Sequence, residues 1–329
     1  MSFARYNPED SVISSETVVR GLWSGDSNTI SNFYTASTYT EYYLNVYNAC
    51  EICSGSSVQF SIQYGNLNGS GSNLINPAVI NTSGAFTPSR VIYGEYRNLV
   101  YGTENANFSF NNAQTASAIF VINVARNRYK ESLLPGSLSL TLASGSSSIK
   151  LIDDSATTSL TRFVGENRVY YLVQSGSSSP YYGMVLPDLD IIVLNATSGT
   201  TGSLTGYIPV LTAATSSISS ANYNTTKLYT SITLGATTSS FALQSQETVS
   251  SRYFFTRVKN SDFNYTTNPS IIDDNGNLLY TTLINNPQTY VTTVGMYNDN
   301  NELLAVAKLS RPLTKDFTKE ALIRIKLDY

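Results

Sequence analysis

Histidine is absent from all 329 residues of this chain. The usual proton shuttle near neutral pH is therefore missing. So are the middle member of the common nucleophile triads and the commonest nitrogen ligand for zinc. Charge is scarce as well: Asp, Glu, Lys and Arg make up 13% of the residues, against about a quarter in ordinary domains. Net charge is −3 and no basic run occurs. That disfavours a nucleic-acid partner, whose phosphates demand clustered Lys and Arg. No apolar stretch approaches the roughly 20 residues that span a bilayer, so no membrane partner is expected. The opening Met1-Ser2-Phe3-Ala4-Arg5-Tyr6 lacks the apolar run of a signal peptide, and synthesis and folding in the cytoplasm are expected.

Cysteine is confined to Cys50 and Cys53, in Cys-Glu-Ile-Cys. A zinc site takes four ligands, and no second cysteine pair or histidine completes one. A redox pair opens a helix in a thioredoxin-like setting. This pair instead follows a strand-like run and precedes Ser54-Gly55-Ser56-Ser57. The two are read as structural or incidental thiols in a reducing compartment. No cofactor, no metal and no catalytic residue is expected; binding and assembly fit the composition better than catalysis. Carboxylates, lysines and tyrosines remain open to chemistry even without histidine.

What the chain does contain is β-forming. It has 24 Tyr and 20 Gly, is 41% hydrophobic, and draws its polar surface from Ser, Thr, Asn and Gln. Thr and Tyr favour strands, whereas Gly, Asn and Ser favour turns. Residues 12–19 read as a strand within an extended amino-terminal arm (1–30) interrupted by Pro8, Gly21 and Gly25. Residues 41–47 read as a second strand. In 58–64, Val58, Phe60, Ile62 and Tyr64 alternate with Gln59, Ser61 and Gln63, the period of a half-buried strand. A polar loop follows from Gly65 to Ser72. Further strands are expected at 105–110, 117–124, 137–142, 149–152, 168–173 and 191–194. The stretch 196–250 is rich in Ser, Thr and Ala, and residues 195–220 carry no charge. Within it, 207–211 and 227–234 read as strand-like, and a helix covering the middle strands stays open as the alternative for part of the segment. Near the carboxyl end, 252–258 is a strand, Asp273-Asp274-Asn275-Gly276 a turn, and 290–297 with 302–308 a hairpin around Asn298-Asp299-Asn300-Asn301. Ile323, Ile325, Leu327 and Tyr329 alternate with charged residues, which pins the end of the chain in a sheet. Regularly spaced short strands predict a mainly β protein of sandwich or barrel-like domains. The expected organisation is the arm (1–30), an amino-terminal β domain (31–136), a middle β domain (137–250) and a carboxyl-terminal β region (251–329) packing on the first.

Motifs for chemistry are few. Asp188 and Asp190 share the spacing of two residues on one strand face, and so form a candidate carboxylate pair for glycoside hydrolysis; Pro187 makes a bend the simpler reading. Asp153-Asp154 and Asp273-Asp274 lack the twelve-residue calcium loop with its closing Glu and read as turns. Gly69-Ser70-Gly71 lacks the rest of a nucleotide fingerprint. Tyr181 and Tyr182, beside Pro180, are the best candidates for a glycan-stacking tip. Trp23, the single tryptophan, reads as core packing or as an anchor in a neighbour.

Two stretches are distinctive. One runs from Arg126-Asn127-Arg128-Tyr129-Lys130 through Leu134-Pro135-Gly136 to Ile149-Lys150-Leu151-Ile152-Asp153-Asp154-Ser155. The other runs from Thr293-Val294-Gly295-Met296-Tyr297 through Glu302-Leu303-Leu304-Ala305-Val306-Ala307-Lys308-Leu309-Ser310, with the ending Ile323-Arg324-Ile325-Lys326-Leu327-Asp328-Tyr329. Together with the start Arg5-Tyr6-Asn7-Pro8-Glu9-Asp10, they resemble a virion structural protein of contractile-tailed bacteriophages, especially those infecting cyanobacteria and other aquatic bacteria. The resemblance spans both ends and the middle, leaves out 196–250, and implies a structural component without a reaction. The 293–309 hairpin is similar to hairpins of baseplate and fibre-adaptor proteins, which implies the tail end of a particle. The implied location is the virion, assembled in the host cytoplasm. The implied partners are other copies of the chain and other virion structural proteins, in a homo-oligomer. Expected contact residues are Trp23 and the arm, Arg126, Arg128 and Lys130 on one strand face, Tyr181, Tyr182, Met296 and Tyr297. A receptor- or carbohydrate-binding module of the same particle is the alternative. An extended arm also has the means to add a strand to a neighbour's sheet.

Overall fold

The computed structural model describes residues 7–35, 43–49, 57–69, 89–112, 114–158, 161–209, 218–237, 241–264 and 268–328. Cys50 and Cys53, the opening residues 1–6, Glu41 and Tyr42, Gly71 and Ser72, Val210 and Leu211, and Tyr329 lie outside the described residues. The chain forms two compact units: a barrel unit, Val18–Glu247, and a terminal unit made of Met1–Thr17 and Thr248–Tyr329.

The described strands of the first half are β1 (Ser11–Gly21), β2 (Thr29–Ile30), β3 (Tyr43–Tyr47), β4 (Val58–Asn66), β5 (Phe108–Phe110), β6 (Gln114–Ala116), β7 (Ala118–Val124), β8 (Ser132–Leu133), β9 (Ser139–Ser144) and β10 (Ser147–Asp153). Next come β11 (Arg162–Val164), β12 (Asn167–Gln174), β13 (Tyr181–Leu186), β14 (Ile191–Asn195) and β15 (Phe241–Ala242). The last are β16 (Gln244–Val258), β17 (Thr289–Tyr297), β18 (Leu303–Lys315) and β19 (Ala321–Asp328). The helices are α1 (Ser89–Tyr101), α2 (Ile218–Ala236) and the short α3 (Thr281–Asn285). With 49% strand and 13% helix, the protein is mainly β, with a barrel-like fold.

In the barrel unit an eleven-stranded sheet runs β2-β15-β9-β10-β12-β13-β14-β7-β4-β3, with β11 paired to β12. The segment from Thr29 to Tyr34 brings its two ends together. Ile30 pairs with Phe241 of β15, and Tyr34 exchanges backbone hydrogen bonds of 2.8 and 3.0 Å with Tyr47 of β3. Phe60 of β4 and Phe241 of β15 stand far apart in strand order, yet their rings lie 5.5 Å apart inside the curl. Register shifts in the β3/β4 and β12/β13 pairs supply local bends, as bulges do.

The central strands are covered on both faces. Along β7, Phe120, Ile122 and Val124 join the inner core, while Ile119 and Val121 join a second core on the opposite face. β14 splits in the same way, with Ile192 and Leu194 inward and Ile191 and Val193 outward. Two-sided burial explains why 191–194 is an unbroken apolar run and not an alternation. The outer core is roofed by α1, whose Ser89, Ile92, Tyr93, Tyr96 and Val100 are buried at helical spacing. The Tyr93 hydroxyl donates to the Ala116 carbonyl (2.7 Å) and accepts from the Phe108 amide (3.0 Å), tying α1 to the β5–β6 hairpin.

Several expectations are corrected. The domains expected at 31–136 and 137–250 lend strands to one sheet, because β7 pairs with β14, a long-range pairing that no local pattern carries. The arm is no free segment: β1 is hydrogen-bonded within its own chain to β16. Residues 227–234, read as a strand, are helical in α2. Its buried residues Asn224, Thr225, Leu228, Ser231 and Ile232 recur at three and four positions, the helical period, which outweighs the β-branched content. Helix α1 falls where only β structure was expected.

Candidate functional site

The terminal unit holds most of a four-stranded sheet in which β16 is the central strand, paired with β1 and with β19, the latter in a continuous antiparallel register from Ser251↔Asp328 to Val258↔Ala321. Its large buried apolar side chains, among the described residues, are Phe254, Val258 and Ile323. Burial of apolar surface is the main favourable term in folding, and three side chains are a small share for a segment of this length. Conversely, most of the large apolar side chains exposed among the described residues belong to this unit.

The β17–β18 hairpin is the extreme case. Its strands pair through Val294↔Ala307, Gly295↔Val306 and Met296↔Ala305. The two form a sheet of two strands, and among the described residues no other strand or helix makes more than marginal contact with it. No residue from Thr289 to Thr314 is buried. Leu304 is 64% exposed, Tyr290 61% and Val306 57%. Directly opposite residues of an antiparallel pair share a face. Through this register one face thus holds Val294, Met296, Ala305 and Ala307. The other holds Thr293, Gly295, Val306 and Lys308. A lone two-stranded hairpin is marginal in water.

Polar bonds fix both ends of this hairpin. At the tip, Asn298 Nδ2 donates to Glu302 Oε2 (2.6 Å) and the Glu302 amide donates to Asn298 Oδ1 (2.8 Å), closing a turn with Asn301 at φ +61°. At the base, Lys315 is fully buried, and its Nζ donates to the Asn260 carbonyl, Asn264 Oδ1 and the Asp316 carbonyl at 2.9, 2.8 and 2.7 Å. Three neutral oxygens satisfy all three ammonium protons. Thr289 Oγ1 donates to the Phe263 carbonyl beside it.

The residues expected to make contacts fare differently. Met296 is half-buried and Tyr297 exposed, both on this hairpin. Trp23 is 3% exposed, with its ring 5.8 Å from Phe60 and 5.0 Å from Phe241; it is a core residue, and its reading as an anchor in a neighbour is corrected. Arg126, Arg128 and Lys130 do not share a strand face, because 126–131 is a turn between β7 and β8. Arg126 lies over the Tyr129 ring. Arg128 is taken up inside its own unit, donating to Ser24 Oγ (2.9 Å) and Ser57 Oγ (2.6 Å). Lys130 is exposed. Tyr181 and Tyr182 open β13 and form no loop tip. Tyr182 is buried, and Tyr181 is half-buried with its ring 5.5 Å from that of Tyr171.

The carboxylate pair is divided. Asp188 is exposed and accepts from Arg168 Nη2 at 2.8 Å. Asp190 is 2% exposed, in a left-handed conformation (φ +59°), with Oδ1 buried and without a partner. A substrate reaching Asp188 cannot touch it. Burial pushes the Asp190 carboxyl up to about 7, against the opposing pull of its Tyr129 hydrogen bond and of Arg126. Burial, then the hydrogen bond and charge of Asp190, push the Tyr129 hydroxyl up to about 12. The other acidic pairs are occupied locally. Asp153 accepts from the Gly136 amide (2.9 Å), and Asp154 from the Tyr171 amide (2.9 Å) and from Arg162. Asp273 accepts from the Asn277 and Asn275 amides at 2.7 and 2.9 Å, contacts that hold its carboxyl below the usual range. Among the described residues no three His, Cys, Asp or Glu gather to hold a metal, and no helix is long and apolar enough to cross a membrane.

Sequence reasoning missed Lys315, which has no local signature. It also did not resolve the hairpin face, although alternation of Val294 and Met296, and of Ala305 and Ala307, carries that signal once the turn is placed. No protein-family model matches the chain, and neither the curated proteins nor the solved structures offer a match.

Proposed function

We propose that the chain is a non-enzymatic structural subunit of a bacteriophage virion, a component of the tail baseplate or neck. It works through contacts with other copies of itself and with other virion proteins. The observation that carries this reading is the β17–β18 hairpin, closed at its tip by the Asn298–Glu302 hydrogen bonds, with exposed Tyr290, Leu303, Leu304 and Val306 and no buried residue from Thr289 to Thr314. Contiguous exposed apolar surface of this kind marks an interaction site. The scarcity of charge fits the same role, because charged residues are depleted at the core of subunit interfaces. The resemblance of the 126–155, 293–310 and 323–329 stretches to virion proteins supplies the particle. A glycan-binding role gains nothing from Tyr181 and Tyr182, which are packed in β13.

The test is the composition of purified particles from a phage that encodes the chain. Mass spectrometry is expected to find it in fixed ratio to the tail proteins, and loss of the chain is expected to leave particles with incomplete tails. Particles that lack it, together with a purified chain that turns over a substrate, overturn the reading.

A further inference from the structure

We infer that Lys315 and Asn264 become joined through their side chains by an amide (isopeptide) bond, which the folded chain forms by itself with loss of ammonia. The inference goes beyond the structural-subunit reading and does not depend on it.

Lys315, the last residue of β18, is 0% exposed. Among the described residues its Nζ meets no carboxylate. Its partners are three neutral oxygens, one of them Asn264 Oδ1 at 2.8 Å. The carboxyl next in sequence, that of Asp316, is turned to Thr318 and Lys319 instead. A charge buried without an opposite one is costly, even when it is hydrogen-bonded. Two of the three oxygens are main-chain carbonyls. The third belongs to a side-chain carboxamide, which alone of the three can exchange its nitrogen for that of lysine without breaking the chain.

The carboxamide is held in place. Asn264 is 8% exposed, and its Nδ2 donates at 2.6 Å to the Asn260 carbonyl, the same oxygen that accepts from Lys315 Nζ at 2.9 Å. Both reacting groups thus hang from one atom. Phe263, which precedes Asn264, has φ +54°, a left-handed conformation that bulky residues rarely take. Its carbonyl is tied by Thr289 Oγ1. Backbone strain of this kind persists where the surroundings over-determine it, and it gathers at working sites.

The step balances within the two side chains. The proton that Nζ shares with Asn264 Oδ1 passes to that oxygen, and the freed lone pair of Nζ adds to Cγ. A second proton moves from Nζ to Nδ2, the Cγ–Nδ2 bond breaks, and the departing ammonia takes the proton back from Oδ1. Lysine enters as an ammonium and an ammonium ion leaves, so no oxidant, reductant or outside acid is consumed. The buried charge goes with it, and the proton left on Nζ still has the Asn260 and Asp316 carbonyls within reach. Amide exchange of this kind is slow in solution, but groups fixed side by side react as though at about 10⁵–10⁸ M, and each chain needs the event once.

The bond closes a loop of 51 residues that contains the whole β17–β18 hairpin. Like a disulfide, it restricts the unfolded chain. It does so around the stretch from Thr289 to Thr314, which has no buried residue to hold it.

The experiment is mass spectrometry of the purified full chain, shown to be folded by circular dichroism and incubated for several days. The denatured intact chain is expected to weigh less than its sequence mass by one ammonia. Trypsin does not cut after an acylated lysine, so residues 260–308 and 309–319 are expected as one branched species. Lys315→Met, which has no nucleophile, and Asn264→Ala, which has no carboxamide, are each expected at their own sequence mass. A folded wild type at its full sequence mass overturns the inference, and this result needs no variant to fold. So does an ammonia deficit accompanied by free 309–315, which places the loss elsewhere, as at Asn275-Gly276. A deficit that persists in Lys315→Met overturns it as well.

Discussion

At Asp190, burial opposes charge, and the sign of the effect follows from the carboxyl's rise from 3.8 to about 7. Below about pH 4 the folded and unfolded chains both hold this proton. Between about 4 and 7 the folded chain keeps a proton that the unfolded chain releases, so stability falls as pH rises through that window. Above it the folded state carries a buried anion. At about 1.36 kcal/mol per unit, the penalty approaches about 4 kcal/mol as an upper figure. Asn tolerates the left-handed conformation that Asp190 adopts, so Asp190→Asn removes the charge without straining the turn. The variant is expected to melt above the wild type at pH 8 and level with it near pH 4, in thermal unfolding followed by circular dichroism. A gain that is equal at both pH values assigns the effect to something other than the charge. The spacing Asp188-Leu189-Asp190 was visible in the sequence, but the opposite environments of the two carboxyls were not. Segments distant in the chain, around Tyr129 and Leu133, supply the hydrogen bonds that oppose the burial of Asp190.

Among the elements, α2 shows how packing overrides propensity. Its Gly235 stands where an added Cβ would lie 1.9 Å from the Thr141 carbonyl oxygen. In an open helix, replacing Gly by Ala stabilises by about 1 kcal/mol. Here the new methyl group drives α2 away from β9, and overpacking costs about 1–3 kcal/mol. The clash wins, and Gly235→Ala is expected to lower the unfolding midpoint in urea, the reverse of the helix rule. An increased midpoint overturns the assigned close approach. Strands and helices were unequally legible. Strand β9, with Leu140 and Leu142 turned inward in line with Leu138 just before it, announces itself by alternation. Helix α1 was equally legible from Ile92, Tyr93, Tyr96 and Val100, but the surrounding β composition hid it. The stretch 227–234 satisfies both periods, and only the neighbouring β9 and β4 select the helix.

At the scale of the whole molecule, the two units differ in what holds them. The barrel unit has cores on both faces of β7 and β14, and it is expected to keep its amide protection whatever the chain's state of association. The hairpin has no such cover. Hydrogen exchange measured at high and low protein concentration is expected to show β17 and β18 protected when the chain is associated and exchanging rapidly when it is dilute. Strands β7 and β14 are expected to remain protected in both. Uniform behaviour of all four strands contradicts a hairpin stabilised from outside. Exchange reads local opening directly, so the comparison needs no knowledge of the complete particle.

Local sequence was enough for the class of fold and the existence of most strands, because alternation and turn residues are local properties. It determined the hairpin at 290–308 and the pinned carboxyl-terminal strand for the same reason. It took the folded chain to reveal that 31–136 and 137–250 share one sheet, that the Trp23 ring packs beside Phe60 and Phe241, and that Arg128 braces Ser24 and Ser57. Each of these depends on which distant segments meet. Periodicity within a segment fixes which side of it is apolar, and leaves open what that side will face.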